Sequence, residues 1–245
     1  MSGHSKWATI KHRKGLADAK RGKLFSKIAR EITVAARNGG GDTASNPRLK
    51  TVIMTARSAS MPNKNIENAI RKGTGESKDG VDYMESTYEG YGPYGVAILV
   101  NCLTDNKNRT VAEVKKVFSK NTGNLGEIGS VAWQFEKKGV IHIEKGSIEE
   151  DQILGIGLEL PIEDVISEEE GYIIYTTIEN FNEVYEQLKE NKGKSFELAH
   201  AEISMIPKNT IEINKDQAEK LQSLIDQLDD LDDVTSISSN ELVRG

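Results

Sequence analysis

The chain holds one cysteine in 245 residues, Cys102, so no internal disulfide can form. Its place in the apolar run Val96–Leu103 suits a reducing cytoplasm and a core position rather than a nucleophile. No run of about 18 apolar residues exists, which excludes a membrane-spanning helix. The start has no apolar h-region, so it reads as part of the mature protein and not as a secretory signal. Catalytic constellations are missing too. No Ser/His/Asp set follows from spacing. His4 and His12 stand without Cys or a nearby carboxylate, so they make no zinc site, and His142 and His200 fall in predicted strands as structural residues. The acidic run Asp229-Asp230-Leu231-Asp232-Asp233 lacks the Gly and the twelfth-position Glu of an EF-hand loop and reads as a solvated helix end. Gly90-Tyr91-Gly92-Pro93-Tyr94-Gly95 spells G-x-G-x-x-G, but a strand follows where a dinucleotide site needs a helix, and Pro93 marks a hairpin turn. Gly123-Asn124-Leu125-Gly126 has the letters of a KH loop without its basic residues, and reads as the end of a helix. No enzyme activity, cofactor, metal site or small-molecule substrate is expected.

The first eighty residues are poor in acid. Residues 1–80 carry 17 Lys and Arg against 6 Asp and Glu, a surplus of +11, while residues 81–245 carry 15 against 32, a deficit of −17. The net charge of −6 hides a basic module in front of an acidic body. Such segregation points to a polyanionic partner, nucleic acid before an anionic membrane. The densest stretch is His4-Ser5-Lys6-Trp7-Ala8-Thr9-Ile10-Lys11-His12-Arg13-Lys14, followed by Lys20-Arg21-Gly22-Lys23, with no acid before Asp18. The residues expected to meet nucleic acid are Lys6, Trp7, Lys11, His12, Arg13, Lys14, Lys20, Arg21, Lys23, Lys27 and Arg30. Lys and Arg gain affinity by neutralising phosphates and releasing counterions, an effect that carries little sequence information. Trp7 either stacks on an exposed base or anchors the segment to its own helices. The alternatives are an ordinary solvated helix face and a membrane surface. The latter is disfavoured, since the packing face of the first helix holds one aromatic, Phe25.

Periodicity supplies the organisation. After Gly15, Leu24, Phe25, Ile28, Ile32 and Ala35 fill an arc about 100° wide, and Lys20, Lys23, Lys27, Arg30 and Arg37 fill a second arc centred roughly 140° away. Gly39-Gly40-Gly41 ends this helix. A second helix starts at Asn46-Pro47, where Asn caps and Pro suits the first helical position. Pro62 opens a third, closed by Arg71-Lys72-Gly73, and residues 73–80 read as a linker. Strands are expected at Tyr83–Glu89, Gly95–Leu103 and Val131–Phe135, with a helix at Arg109–Lys120. A β-α-β-β-α-β series follows, at Gly139–Glu144, Ile148–Leu158, Asp164–Ser167, Gly171–Thr177, Ile178–Glu190 and Phe196–Ser204. The tail adds a strand near Thr210–Ile213, a helix Lys215–Leu231 and a strand Val234–Ser238. This strand-helix-strand is too small to bury a core alone and is expected to complete the unit of residues 95–135. The fold class is α+β: an N-terminal three-helix domain followed by two ferredoxin-like α/β sandwich domains, one inserted in the other. The boundaries are 1–79 with a flexible N-terminal arm, 80–135 with 206–245, and 136–205 inserted.

Gly3-His4-Ser5-Lys6-Trp7-Ala8-Thr9-Ile10-Lys11-His12-Arg13-Lys14-Gly15, Asp18-Ala19-Lys20-Arg21-Gly22-Lys23 and Lys27–Val34 closely resemble the YebC/PmpR family, to which the mitochondrial translational activator of cytochrome c oxidase also belongs. The likeness continues through Gly39–Asp42, Asn46–Leu49, Met61-Pro62, Asn65–Glu67, Tyr88–Pro93, Leu103–Thr110 and Gly129–Trp133. Departures are small: Tyr94, where a Gly or Asn is commoner, and Ser60 and Asn63 around the third helix. The resemblance implies one helical and two mixed domains in a cytoplasmic bacterial protein, usually labelled a probable DNA-binding transcriptional regulator. It also implies a rival role, a ribosome-associated translation factor that binds ribosomal RNA and relieves stalling on proline-rich nascent chains. A monomer is expected. Glycines at 3, 15 and 22 suit a segment that orders on RNA, while a three-helix module can carry a helix-turn-helix, although no helix pair shows recognition-helix chemistry.

Overall fold

In the computed structural model of the protein, residues 18–76, 82–144, 150–168, 171–190 and 198–244 are described. Residues 1–17 and positions 77–80 of the expected linker lie outside them. Three helices come first, α1 (Asp18–Gly39), α2 (Pro47–Ser58) and α3 (Asn63–Gly73). Ile28, Ile32 and Ala35 of α1 meet Leu49, Ile53 and Ala56 of α2 and Ile66 and Ala69 of α3 in one core, on the apolar arcs that spacing predicts. Buried Asn46 makes the α1–α2 corner. Its Oδ1 accepts the Leu49 N–H at 3.0 Å, capping α2, and its Nδ2 donates to the carbonyls of Ala35 and Gly40, both at 2.8 Å, closing α1.

The seat of α3 on α1 depends on a glycine. A Cβ at Gly73 would lie 2.4 Å from the Thr33 carbonyl oxygen and 2.7 Å from the Ala36 Cβ. Beside it, Thr33 Oγ1 donates to the Ala69 carbonyl at 3.1 Å. Gly73→Ala forces the helices apart and is expected to cost about 1–3 kcal/mol, seen as an earlier urea transition by far-UV circular dichroism. An unshifted transition would show that the crossing yields without strain.

Strands β1 (Met84–Tyr91) and β2 (Ala97–Thr104) form an antiparallel hairpin, followed by α4 (Lys107–Lys120) and the short β3 (Asn124–Leu125). Next come β4 (Phe135–Glu144), α5 (Glu150–Glu159), β5 (Asp164–Ser167), β6 (Gly171–Thr176), α6 (Ile178–Glu190) and β7 (Leu198–Pro207). The chain closes with β8 (Ile211–Ile213), α7 (Lys215–Asp229), β9 (Val234–Ser239) and β10 (Glu241–Val243). One sheet has the order β3-β1-β2-β9, so a strand from the tail completes a hairpin that begins at residue 84. The other has the order β5-β6-β4-β7, all antiparallel, which is the ferredoxin-like plan.

Each sheet carries helices over its own core. Val96, Ile98 and Val100 pack with Val114 and Phe118 of α4 and Leu221, Leu224 and Leu228 of α7. Ile141, Ile143 and Ile174 pack with Phe181, Val184 and Leu188 of α6, and Met54 of α2 enters this second core from the helical unit. Ala97, Leu99, Val131 and Phe135, with Met205 against them, join the two sheet units.

Two expectations are corrected. Of Val131–Phe135, only Phe135 lies in a strand; Ala132–Gln134 is a 3-10 turn. The Glu89 carboxylate takes the N–H groups of Val131 and Ala132, which a strand ladder would have needed. The tail strand β8 does not enter the first sheet but pairs in parallel with β10, and β9 alone joins it. The hairpin turn stands where Pro93 marks it, and Tyr94 there has φ 65°. That left-handed conformation favours Gly or Asn, the residues from which this chain departs. Ser60, the second departure, also has a positive φ, 59°.

Candidate nucleic-acid interface

Of the expected contact residues, Lys6, Trp7, Lys11, His12, Arg13 and Lys14 lie outside the described residues, as does the side chain of Lys20. Arg21 lines a cleft of about 1300 Å³ between the helical unit and the two sheets. The structure brings the other three, Lys23, Lys27 and Arg30, to one place: the acidic turn that follows α7. Lys23 Nζ donates to the Asp230 carbonyl and pairs with the Asp232 carboxylate at 3.3 Å. Lys27 Nζ donates to the Asp229 carbonyl and pairs with its carboxylate at 3.1 Å. Arg30 donates to the Asp232 carbonyl and pairs with the Asp233 carboxylate at 3.3 Å.

Residues 23, 27 and 30 share one α1 face because they are spaced by four and three. The last carbonyls of α7 have no intrahelical donor, and the end of a helix carries partial negative charge. The α1 cations therefore cap α7 from another unit. Lys27 is thereby left only 6% exposed at its side chain. The acidic run is the solvated helix end that the sequence suggests at Asp229, Asp230 and Asp232, and it is at the same time the counter-charge of the basic stripe, with Asp233 buried.

Asp233 ties this turn to the first sheet. Its buried Oδ2 accepts from Thr110 Oγ1 at 2.8 Å, Thr104 Oγ1 at 3.0 Å and Arg109 Nη2 at 2.7 Å. Burial pulls the carboxyl upward, but the hydrogen bonds from Arg109, Thr110 and Thr104 outweigh it and hold it below the usual carboxylate range. The same bond to Asp233, with a second to Asp105, pushes the Arg109 guanidinium further up. The Leu103–Thr110 string thus cradles a buried acid from the far end of the chain.

None of the expected contact residues lies on α3. Helix α1 is covered by the acidic turn, and α2 buries Met54 in the core beneath β7. On α3, Lys64, Asn65, Arg71 and Lys72 are exposed and Asn68 is half-buried. Asn amides and Arg guanidinium groups are the side chains that bond base edges in pairs. Asn65, Asn68 and Lys72 line a cleft of about 1130 Å³, with Arg30 and Arg109 across it among the acids Asp105, Glu113, Asp230, Asp232 and Asp233. The signal was present as Asn65, Asn68 and Lys72 at i, i+3 and i+7, but their low charge density hid them beside the denser run upstream.

Cys102 is buried in the first core, and burial, with the Asp233 charge adding to it, pushes its thiol up to about 12. His142 and His200 sit opposite one another across β4 and β7, with ring centroids 6.2 Å apart. Among the described residues, no three His, Cys, Asp or Glu side chains converge as a metal-holding set. Among them also, no helix is long and apolar enough to cross a membrane.

An α+β protein with a basic helical unit held against two interleaved sheet units is the class that this geometry defines. The chain belongs to the TACO1/YebC family: models described as the TACO1/YebC protein N-terminal domain and the TACO1/YebC second and third domain match residues 5–76 and 83–241. A relative from Treponema denticola is 53% identical over 241 residues, covering 98% of this chain and 96% of its own length. One from Desulfosudis oleivorans is 49% identical over 240 residues with the same coverage. Both are named probable transcriptional regulatory protein. The crystal structure of a conserved hypothetical protein from Aquifex aeolicus is similar at a TM-score of 0.82 and 44% identity, covering 93% of each chain.

Proposed function

We propose that the protein is a non-enzymatic, DNA-binding regulator of transcription. The basic segment from Lys6 to Lys23 grips the phosphate backbone, and α3 is presented to a groove. The observation that carries this reading is the exposure of Asn65, Arg71 and Lys72 along α3. Its 11 residues span about 16 Å, and a major groove about 12 Å wide admits a helix. The division into 1–79, 80–135 with 206–245, and 136–205 is our reading of the domains, supported by the two sheets drawing strands from those ranges. A monomer acting in the cytoplasm fits the single buried thiol.

Replacing Lys11, Arg13, Lys14 and Lys20 with Ala tests the grip. Binding to duplex DNA should weaken, and the slope of log affinity against log salt should fall by about 0.9 per lost phosphate contact. A slope unchanged by the four replacements would remove the segment from the interface.

A second reading, ribosomal RNA as the polymer and translation as the process, is favoured by one feature. Trp133 is 64% exposed, and the Tyr91 and Tyr94 rings are exposed as well. Exposed rings stack on unpaired bases, which RNA offers and duplex DNA does not. Crosslinking in cells followed by sequencing separates the two: discrete promoter peaks support the first reading, and enrichment confined to ribosomal RNA supports the second.

A further inference from the structure

The three cations of α1 that should meet phosphate are already engaged, and the group that engages them resembles phosphate chemically. The turn Asp229–Asp233 offers Lys23, Lys27 and Arg30 the carboxylates of Asp229, Asp232 and Asp233 together with three carbonyl oxygens. That is a row of anionic and partly anionic oxygens over one helix face. The partners are more than 200 residues apart in sequence, so the contact joins two units rather than closing a local turn. Its outer edge, the Lys23–Asp232 pair, faces solvent, with the Asp232 side chain 79% exposed, whereas Lys27 and the Arg30–Asp233 pair are largely buried. Exposed ion pairs contribute little individually and weaken with salt. The cleft beside the turn, about 1130 Å³, is lined by Lys23, Arg30, Lys72 and Arg109 but also by Asp105, Glu113 and the acids of the turn itself, so the turn's carboxylates offset the cations that a phosphate backbone would meet there.

We infer that the Asp229–Asp233 turn is an internal competitor for nucleic acid: it holds the α1 stripe in a latched state, and the polymer must displace it to use Lys23, Lys27 and Arg30. The inference rests on the nucleic-acid reading above and names the regulation of that same surface. In the latched state the exposed side chains of α3 remain as entry contacts. Displacement adds three phosphate contacts and separates α1 from the end of α7.

The test compares the full chain, the triple variant Asp229→Asn, Asp230→Asn, Asp232→Asn, and a control of equal charge, Glu159→Gln, Glu190→Gln, Glu219→Gln. Asp233 is left in place because it holds the interior network. The three replaced carboxylates belong to exposed residues, and the largely buried Lys27 keeps the Asp229 carbonyl as an acceptor, so the variant should stay folded, its thermal transition recorded beside that of the parent. The probes are a duplex of roughly 20 base pairs and a single-stranded RNA of equal length, titrated across salt. Against the control, the latch variant, in which Lys23 and Lys27 lose their carboxylate partners while Arg30 keeps Asp233, should bind at least one polymer about tenfold more tightly, with a salt slope steeper by about two units. Adding Lys23→Ala, Lys27→Ala and Arg30→Ala to the latch variant should erase that gain. If the latch variant and the control bind equally, with equal slopes, the latch is overturned and the proposed function stands. If no form of the chain binds either polymer, both are overturned.

Discussion

Replacing Asp233 with Ala is expected to destabilise the folded chain by about 3 kcal/mol, measured as a shift of the urea midpoint at neutral pH. The side chain is only 6% exposed, and its loss leaves the hydroxyls of Thr104 and Thr110 without their shared acceptor. It also leaves Arg30 and Arg109 without their buried counter-charge. Arg109 is about half-exposed and recovers water, which keeps the cost near the lower end for a broken buried pair. The effect has a pH signature. The folded-state carboxyl lies below its unfolded value of about 3.9, so its stabilisation is fully present above that value and is lost as pH falls through the folded-state value. Asp233→Asn binds no proton there, so the stability gap between parent and variant should narrow on acidification below about pH 4. A gap of constant size would mean that neutral hydrogen bonding, not charge, holds the turn.

What was legible in the sequence divides along a physical line. The three helices were legible because their signals are local: Asn46 caps three residues ahead, and the apolar arcs repeat every three to four. The ferredoxin-like unit was legible because its strands and helices follow in order, each with its own periodicity. The turn at Ala132–Gln134 was not, since its cause is a carboxylate more than forty residues upstream. Nor was the pairing of β8 with β10, because Glu241–Val243 is too short to carry an alternating pattern. The basic stripe on α1 was legible as a face. Its occupant was not: helical periodicity gives the direction in which Lys27 points, and nothing in it names Asp229.

Glu89 is the second residue whose loss should be severe. Its buried carboxylate accepts the N–H of Gly129 on one oxygen and those of Val131 and Ala132 on the other, each at 2.7 Å. Burial pulls this carboxyl upward, and the three backbone bonds together bring it below its usual range. One side chain thus organises residues 129–132, against which Tyr91 and Trp133 both donate to the Ser130 carbonyl, at 3.1 and 3.2 Å. Glu89→Ala leaves three N–H groups without an acceptor, each costing about 1–3 kcal/mol if it stays buried. The loop should instead open to water, drawing Val131 out from between the sheets, for a net loss of about 3 kcal/mol. Hydrogen exchange should show the Val131 and Ala132 amides protected in the parent and fast in the variant. In a Trp7→Phe background, fluorescence should report Trp133 alone and record its release. Retained protection would show that the loop stands without the carboxylate. The same variant discriminates between polymers: if the exposed rings of this loop stack on RNA, Glu89→Ala should weaken RNA binding while the grip of the basic segment on duplex DNA persists.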